Sequence, residues 1–327
     1  MSSHHDQLEA LLLADPSEHG IAVLADGATG SELQRRGVST PLPLWSTAAL
    51  LDEDSRVVLG GVHRDYLAAG AKLLTANTFR THARNLRSSG RADQANELTR
   101  NAIEIARSAI AEHEVVRDRA RQPLSESGQP ILVAGSQAPL EDCYSPELTP
   151  PEGELQVEHR QMSANLADAG VDLIFIETMP TCREAVSAAM AAAETELPFA
   201  VSFVCTATGH LLSGEDLTSA VAAVLPYRPR LLGVNCAPAP RMAAALTLLK
   251  SAVSEAHTDV DLLAYGNIGQ SDPEIGWRNT SAADPVVYAR TARVWRDLGV
   301  KVIGGCCGTT PEHIAALRVE FARVNLD

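Results

Sequence analysis

Val302-Ile303-Gly304-Gly305-Cys306-Cys307-Gly308-Thr309-Thr310-Pro311 ends one short apolar run and opens a helical pattern. The run reads as a buried strand, followed by two glycines, two adjacent cysteines and a helix start. Neighbouring thiols at a strand end bind a soft metal, form a strained vicinal disulfide, or are simply small buried residues. A metal site needs a third soft ligand. A second apolar run that ends in a thiol, Leu231-Leu232-Gly233-Val234-Asn235-Cys236, offers Cys236. Whether the two strand ends meet is a question about the fold.

The same unit, an apolar run followed by a helical pattern, recurs along the chain. Runs at 21–25, 71–76, 131–134, 171–176, 199–204, 231–234, 261–264 and 301–303 read as strands. Helical spacing is expected over 31–36, 54–69, 92–116, 152–169, 182–193, 217–223, 240–257, 285–298 and 311–324. The stretch 37–44 reads as a loop, 117–129 as a charged surface excursion, and the segment carrying Trp277 as a long loop. The runs are apolar throughout rather than alternating, as in parallel strands covered on both faces. Eight such units predict a single (β/α)8 barrel over 1–327. The alternative is an open doubly wound sheet, which usually carries a Gly-rich dinucleotide loop. Asp26-Gly27-Ala28-Thr29-Gly30 does not fit that fingerprint.

Composition narrows the function classes. The chain of 327 residues is 45% hydrophobic, enough for a full core. Its net charge of −14 argues against a nucleic-acid or anionic-membrane surface. No apolar run approaches the ~20 residues that span a bilayer. Residues 1–15 lack a signal-peptide pattern, and His4 and His5 read as a disordered end. Six cysteines without an export signal point to the reducing cytoplasm, where clustered thiols bind metals or take part in catalysis.

In such a barrel the C-terminal strand ends converge on one face, where chemistry sits. Those ends are Asp26, Asn77, Ser136, Glu177, Cys205, Cys236, Asn267, and Cys306 with Cys307. One strand separates the sixth from the eighth, so Cys236 comes within reach of the other two thiols. Three thiolates with a vacant fourth position describe a catalytic-type zinc site (Zn2+), and soft sulfur disfavours magnesium or calcium. Cys143, Cys182 and Cys205 read as packing. Structurally, Asp26 and Glu177 could equally serve in a buried ion pair or a helix cap. Trp45, Phe79, Tyr265 and Trp277 could be loop packing.

The chain resembles the homocysteine S-methyltransferases. The resemblance rests on Leu24-Ala25-Asp26-Gly27, Thr75-Ala76-Asn77-Thr78-Phe79, Ile176-Glu177-Thr178-Met179-Pro180, Gly233-Val234-Asn235-Cys236 and Gly304-Gly305-Cys306-Cys307-Gly308-Thr309. It implies zinc on Cys236, Cys306 and Cys307, with Glu177 on the homocysteine amino group and Asp26 orienting the amino acid. Gly27, Asn77, Asn235, Trp45 and Tyr265 join them as expected substrate contacts. Two departures stand out. Tyr265-Gly266-Asn267 replaces the Tyr-Pro-Asn of many relatives, and Ala28 stands where some carry a second glycine.

The chemistry implied is attack by a homocysteine thiolate on an activated methyl. Small-molecule partners are expected, homocysteine and an S-methylmethionine or S-adenosylmethionine donor, with betaine or a corrinoid as rival donors and another thiol or selenol as rival acceptor. Cationic donors favour aromatic faces, for which Trp45, Phe79, Tyr265 and Trp277 are candidates. From other classes, a zinc hydrolase or a non-catalytic thiol-binding barrel competes. No His general base lies near the motifs.

Overall fold

The strand-like runs assemble into one parallel sheet. The computed structural model describes residues 3–13, 23–119, 130–272 and 276–322. The chain runs α1 (His4–Leu12), β1 (Val23–Leu24), α2 (Gly30–Arg35), α3 (Glu53–Ala69), β2 (Leu73–Ala76), α4 (Ala83–Arg87) and α5 (Ala95–Arg119). Then come β3 (Leu132–Gln137), α6 (Glu152–Asp168), β4 (Leu173–Met179), α7 (Cys182–Ala193), β5 (Phe199–Phe203), α8 (Leu217–Val224) and β6 (Leu231–Pro238). The last part holds α9 (Met242–Glu255), β7 (Asp261–Asn267), β8 (Gly269–Asp272), β9 (Gly276–Asn279), α10 (Pro285–Asp297), β10 (Val300–Gly305) and α11 (Pro311–Ala322).

Eight parallel strands follow the order β1-β10-β7-β6-β5-β4-β3-β2. The two ends of that row meet. Ala25 pairs in parallel with Leu73, Lys72 N–H donates to Leu24 O at 2.8 Å, and Asp26 N–H donates to Leu73 O at 2.9 Å. The expected (β/α)8 barrel is therefore present. Helix ends follow local chemistry. Asp52 caps α3 through Ser55 N–H, and Gly70 ends it in the left-handed region at φ 113°.

Successive strand residues divide between two cores, because side chains alternate across a sheet. Leu73, Leu132, Leu173, Phe175, Leu231, Leu263 and Val302 fill the barrel interior. Their neighbours Leu74, Val133, Ile174, Ile176, Leu232, Leu262 and Ile303 pack outward against the helices. Burial on both faces explains why the strands read as continuous apolar runs.

Three expectations need correcting. His4 and His5 are not a disordered end: they open helix α1, which Ser3 and Asp6 cap reciprocally. Leu8, Leu11 and Leu12 of α1 are buried with the interior leucines and plug the N-terminal end of the barrel. Burial of this kind is worth about 1.5–3 kcal/mol per leucine. Glu9 adds an ion pair to Arg230, which also meets Asp261 at 2.8 Å. Second, the long loop carrying Trp277 contains the antiparallel hairpin β8–β9. Third, α5 runs through Arg119, so the start of the expected surface excursion is helical, and 120–129 lie outside the described residues. Ile21 and Ala22 of the first predicted strand, and the end of the last predicted helix from residue 323 on, also lie outside them. No helix among the described residues is long and apolar enough to cross a membrane.

Candidate active site

Followed upward along the strands, the inward-facing positions turn from apolar to polar. Above the leucine layers come Thr75, Ser136, Glu177, Ser202, Asn235 and Tyr265, separated from interior residues by even steps. All but Thr75, which pairs with Asp26, form one hydrogen-bonded layer. Ser136 Oγ donates to Glu177 Oε1, while Tyr265 OH donates to Glu177 Oε2 at 2.9 Å and Asn235 Nδ2 reaches the same oxygen at 3.4 Å. Ser202 Oγ donates to Asn235 Oδ1 at 2.7 Å. Glu177 is thus held from β3, β6 and β7 at once.

The alternation alone would turn Cys236 outward, since Val234 packs outside and Asn235 points in. A register shift between Asn235 and Pro238 intervenes, and Cys236 sits at φ 54°, a left-handed backbone unusual for a residue other than glycine. Thr178 has the same conformation, φ 61°, beside a shift between Ile176 and Met179. Asn235 ties the two bulges together: its Oδ1 accepts Thr178 N–H at 2.9 Å and its Nδ2 donates to Thr178 Oγ1 at 2.7 Å. Backbone strain of this kind clusters at functional sites.

The β10 thiols are placed by close backbone contacts. A Cβ on Gly304 would meet Asp26 O at 2.7 Å, and one on Gly305 would meet Thr309 Oγ1 at 2.3 Å, so both positions require glycine. Thr309 Oγ1 donates to Cys306 O at 2.8 Å and accepts from Ala28 N at 3.1 Å, which joins the loops after β1 and β10. Tyr288 of α10 donates to Gly304 O at 2.7 Å and accepts from Gly266 N at 3.1 Å. A proline at position 266 would lack that N–H, which gives the departure at Tyr265-Gly266-Asn267 a local reason.

Cys236, Cys306 and Cys307 come together as expected. Their sulfurs all lie within 4.8 Å of one another. Cys236 Sγ is 2.7 Å from Cys306 Sγ and 3.9 Å from Cys307 Sγ, and all three are free thiols. Two sulfurs sharing a tetrahedral ion at ~2.3 Å each stand roughly 3.8 Å apart, so the Cys236–Cys307 spacing already fits one soft metal, and a side-chain rotation that opens the shorter Cys236–Cys306 pair completes the fit. Hydrogen bonds from Cys236 and Cys306 hold the Cys307 thiol well below the ordinary thiol range. The same sharing, with burial, pushes Cys306 up.

Two carboxyls face this trio. Burial pushes Glu177 up to about 7, against the opposing hydrogen bond from Ser136. Burial likewise pushes Asp26 up to about 8, although Thr75 N–H donates to its Oδ2 at 2.8 Å. A cavity of about 940 Å3 opens over them, lined by Asp26, Gly27, Trp45, Asn77, Glu177, Tyr265 and the three cysteines. Asn235 lies behind Glu177, outside that lining, with its amide spent on Thr178, Ser202 and Glu177. Asn77 is on the wall, where Nδ2 donates to Ser46 O at 2.8 Å. Phe79 and Trp277 line the wall as well, and so does Cys143, which sequence reasoning had left as packing.

Sequence reasoning missed Tyr144, Arg80 and the bridging role of Asn267. Tyr144 OH donates to Cys236 O at 3.3 Å, and Asn267 Nδ2 donates to the same carbonyl at 2.8 Å. Tyr144 stands in the Pro-rich loop after β3, where no periodic pattern assigns a direction. Arg80 follows Phe79 in the loop after β2.

Comparison with known proteins agrees with this geometry. The family described as homocysteine S-methyltransferase matches residues 23–321. The chain belongs to this family. Homocysteine S-methyltransferase YbgG of Bacillus subtilis (strain 168) is 28% identical over 303 residues, covering 89% of this chain and 92% of that protein. Selenocysteine methyltransferase of Astragalus bisulcatus is 29% identical, covering 91% and 92%. Among solved structures, the homocysteine methyltransferase MmuM from Escherichia coli, described as its metallated form, superposes with a TM-score of 0.78 at 29% identity. That match covers 96% of this chain and 99% of MmuM. As a homocysteine S-methyltransferase family member the protein is an enzyme that acts on small molecules.

Proposed function

We propose that this methyltransferase carries a methyl group from S-methylmethionine or S-adenosylmethionine to homocysteine, forms methionine, and depends on zinc held by Cys236, Cys306 and Cys307. One observation carries the reading: three cysteine sulfurs gathered within 4.8 Å on the wall of a cavity that also holds two buried carboxyls. Cys236, Cys306 and Cys307 would hold the ion with fewer protein ligands than a closed structural zinc site takes. Zinc held there would supply acidity that favours the nucleophilic thiolate form of the homocysteine sulfur at neutral pH.

The chain's own residues do the rest. Glu177 holds the homocysteine ammonium, and that positive charge favours the ionised carboxyl that burial otherwise disfavours. Asp26 orients the amino acid from the β1 side. The network of Ser136, Tyr265 and Asn235 keeps Glu177 from turning away, so the sulfur arrives with little freedom left to lose. Trp45, Phe79 and Trp277 offer aromatic faces to a cationic donor. Methyl transfer forms one carbon–sulfur bond and breaks another, and the sulfonium donor leaves as a neutral thioether. No general base is required. Reduced thiols suit the cytoplasm as the site of action.

A selenol acceptor is the second reading, favoured by the similarity to selenocysteine methyltransferase. The test is a panel of S-methylmethionine, S-adenosylmethionine and betaine against homocysteine and selenocysteine, with and without chelator. Methionine formed from the sulfonium donors and abolished by chelation is expected. Turnover of betaine alone, or turnover that survives metal removal, would overturn the reading.

A further inference from the structure

We propose that Arg80 selects the methyl donor by binding a carboxylate on it, so that the preferred donors are onium compounds bearing a free carboxylate. This deepens, and rests on, the reading of the cavity as a methyl-transfer site.

Two arginines line the cavity, Arg80 and Arg84. Arg84 is satisfied: it pairs with Glu141 at 3.0 Å, with Glu158 at 2.7 Å and with Glu154. Arg80 is not. Its half-buried guanidinium stacks 5.8 Å from the Phe79 ring centroid, and among the described residues its one side-chain hydrogen bond goes to Asn85 Oδ1 at 3.3 Å. The carboxylates on the loop facing it are committed elsewhere. Glu141 holds Arg84, while Asp142 accepts from Tyr144 N at 3.0 Å and Ser145 Oγ at 3.3 Å. A guanidinium presents five N–H donors in a planar fork matched to a carboxylate, and leaving it partly desolvated without an anion is costly.

Charge is divided along the cavity. The deep end carries Glu177 and Asp26 beside the thiols and suits the ammonium of the acceptor amino acid. In the loop after β2 lie the Phe79 ring and, stacked on it, Arg80, which has no ion-pair partner among the described residues. A donor that is cationic at the reacting sulfur or nitrogen and anionic at its far end matches both features. At about 940 Å3 the cavity sits at the top of the roughly 300–1,000 Å3 range that holds drug-sized ligands, so two amino-acid-sized molecules fit together.

The experiment compares two donors that differ in the carboxylate, S-methylmethionine and (3-aminopropyl)dimethylsulfonium, in the metal-loaded enzyme and its Arg80→Ala, Arg80→Met and Arg80→Lys variants. Arg80→Ala and Arg80→Met should raise KM for S-methylmethionine about tenfold to a hundredfold, the range of a hydrogen bond to a charged group. The carboxylate-free donor and the KM for homocysteine should stay unchanged, and Arg80→Lys should recover part of the loss. Equal losses for both donors would assign Arg80 a structural role and overturn the proposal. So would a selective rise in the KM for homocysteine, which would hand the contact to the acceptor. If the unmodified enzyme makes no methionine from either donor, the methyl-transfer reading itself fails and takes the proposal with it.

Discussion

Replacing Glu177 by glutamine tests the site where its electrostatics are sharpest. The carboxylate accepts from Ser136 on one oxygen and from Tyr265, at 2.9 Å, and Asn235, at 3.4 Å, on the other. Two oxygens offer about four acceptor positions, so these three donors leave roughly one for an incoming ammonium. In Glu177→Gln the amide oxygen can keep Tyr265 and Asn235, while its NH2 faces Ser136, whose hydroxyl can rotate to accept. The fold and the cysteine trio should therefore persist, and the variant isolates the charge. Removing one partner of a buried ion pair costs about 3–5 kcal/mol, and the remaining neutral hydrogen bond offsets about 1 kcal/mol. A net loss of about 2–4 kcal/mol corresponds to a roughly 30- to 700-fold rise in Kd. Calorimetric titration of the metal-loaded protein with homocysteine, alongside metal analysis, reads both quantities. Tyr265→Phe, which keeps the ring stacked 6.3 Å from Phe175, should weaken binding less, because two other donors remain. A homocysteine Kd within twofold of the unmodified protein, or metal lost in step with affinity, would refute the assignment of Glu177 to the ammonium.

Further predictions reach other parts of the molecule. Cys307→Ala should strip the metal and lower activity by at least about a hundredfold, with the circular dichroism of the barrel unchanged; a full complement of metal would exclude the three-thiolate site. Leu11→Ala, at a residue 1% exposed in the barrel plug, should cost about 2–5 kcal/mol in urea unfolding without changing either KM. His63 is wholly buried with no hydrogen-bond partner on either ring nitrogen among the described residues, and burial pushes its pKa down to about 4. The folded ring stays neutral while the unfolded one takes up a proton below its ordinary value of 6.5, so stability is full above pH 6.5 and falls as pH drops toward 4. The drop amounts to about 3 kcal/mol. His63→Leu should flatten that part of the pH–stability curve, and an unchanged slope would exclude His63 as its source.

The barrel was legible because parallel strands buried on both faces leave an unmistakable record, as in Leu173-Ile174-Phe175-Ile176 and Leu231-Leu232. The thiol trio was legible because residue type and strand-end position suffice once the strand order is known. Helix α1 was not: nine residues with polar flanks look like a frayed end until a barrel mouth is there to take Leu8, Leu11 and Leu12. Nor were the bulges at Thr178 and Cys236, since left-handed backbone at a threonine or a cysteine is imposed by tertiary contacts and not by local preference. The support behind Glu177 comes from β3, β5, β6 and β7, and a hydrogen bond between strands of different sequence neighbourhoods leaves no periodic trace. Arg80 was passed over for a related reason. A lone cation in a loop becomes informative only when the nearby carboxylates are seen to be taken.

The leucine plug at the foot of the barrel has a kinetic consequence. With α1 and the interior leucines filling the foot of the barrel, small molecules reach the cavity from the face where the strands end. The molecule seated deepest, beside the thiols and Glu177, enters first and leaves last. On the proposed function this predicts ordered traffic, homocysteine loading before the donor and the product formed from it leaving last, which product-inhibition patterns would check.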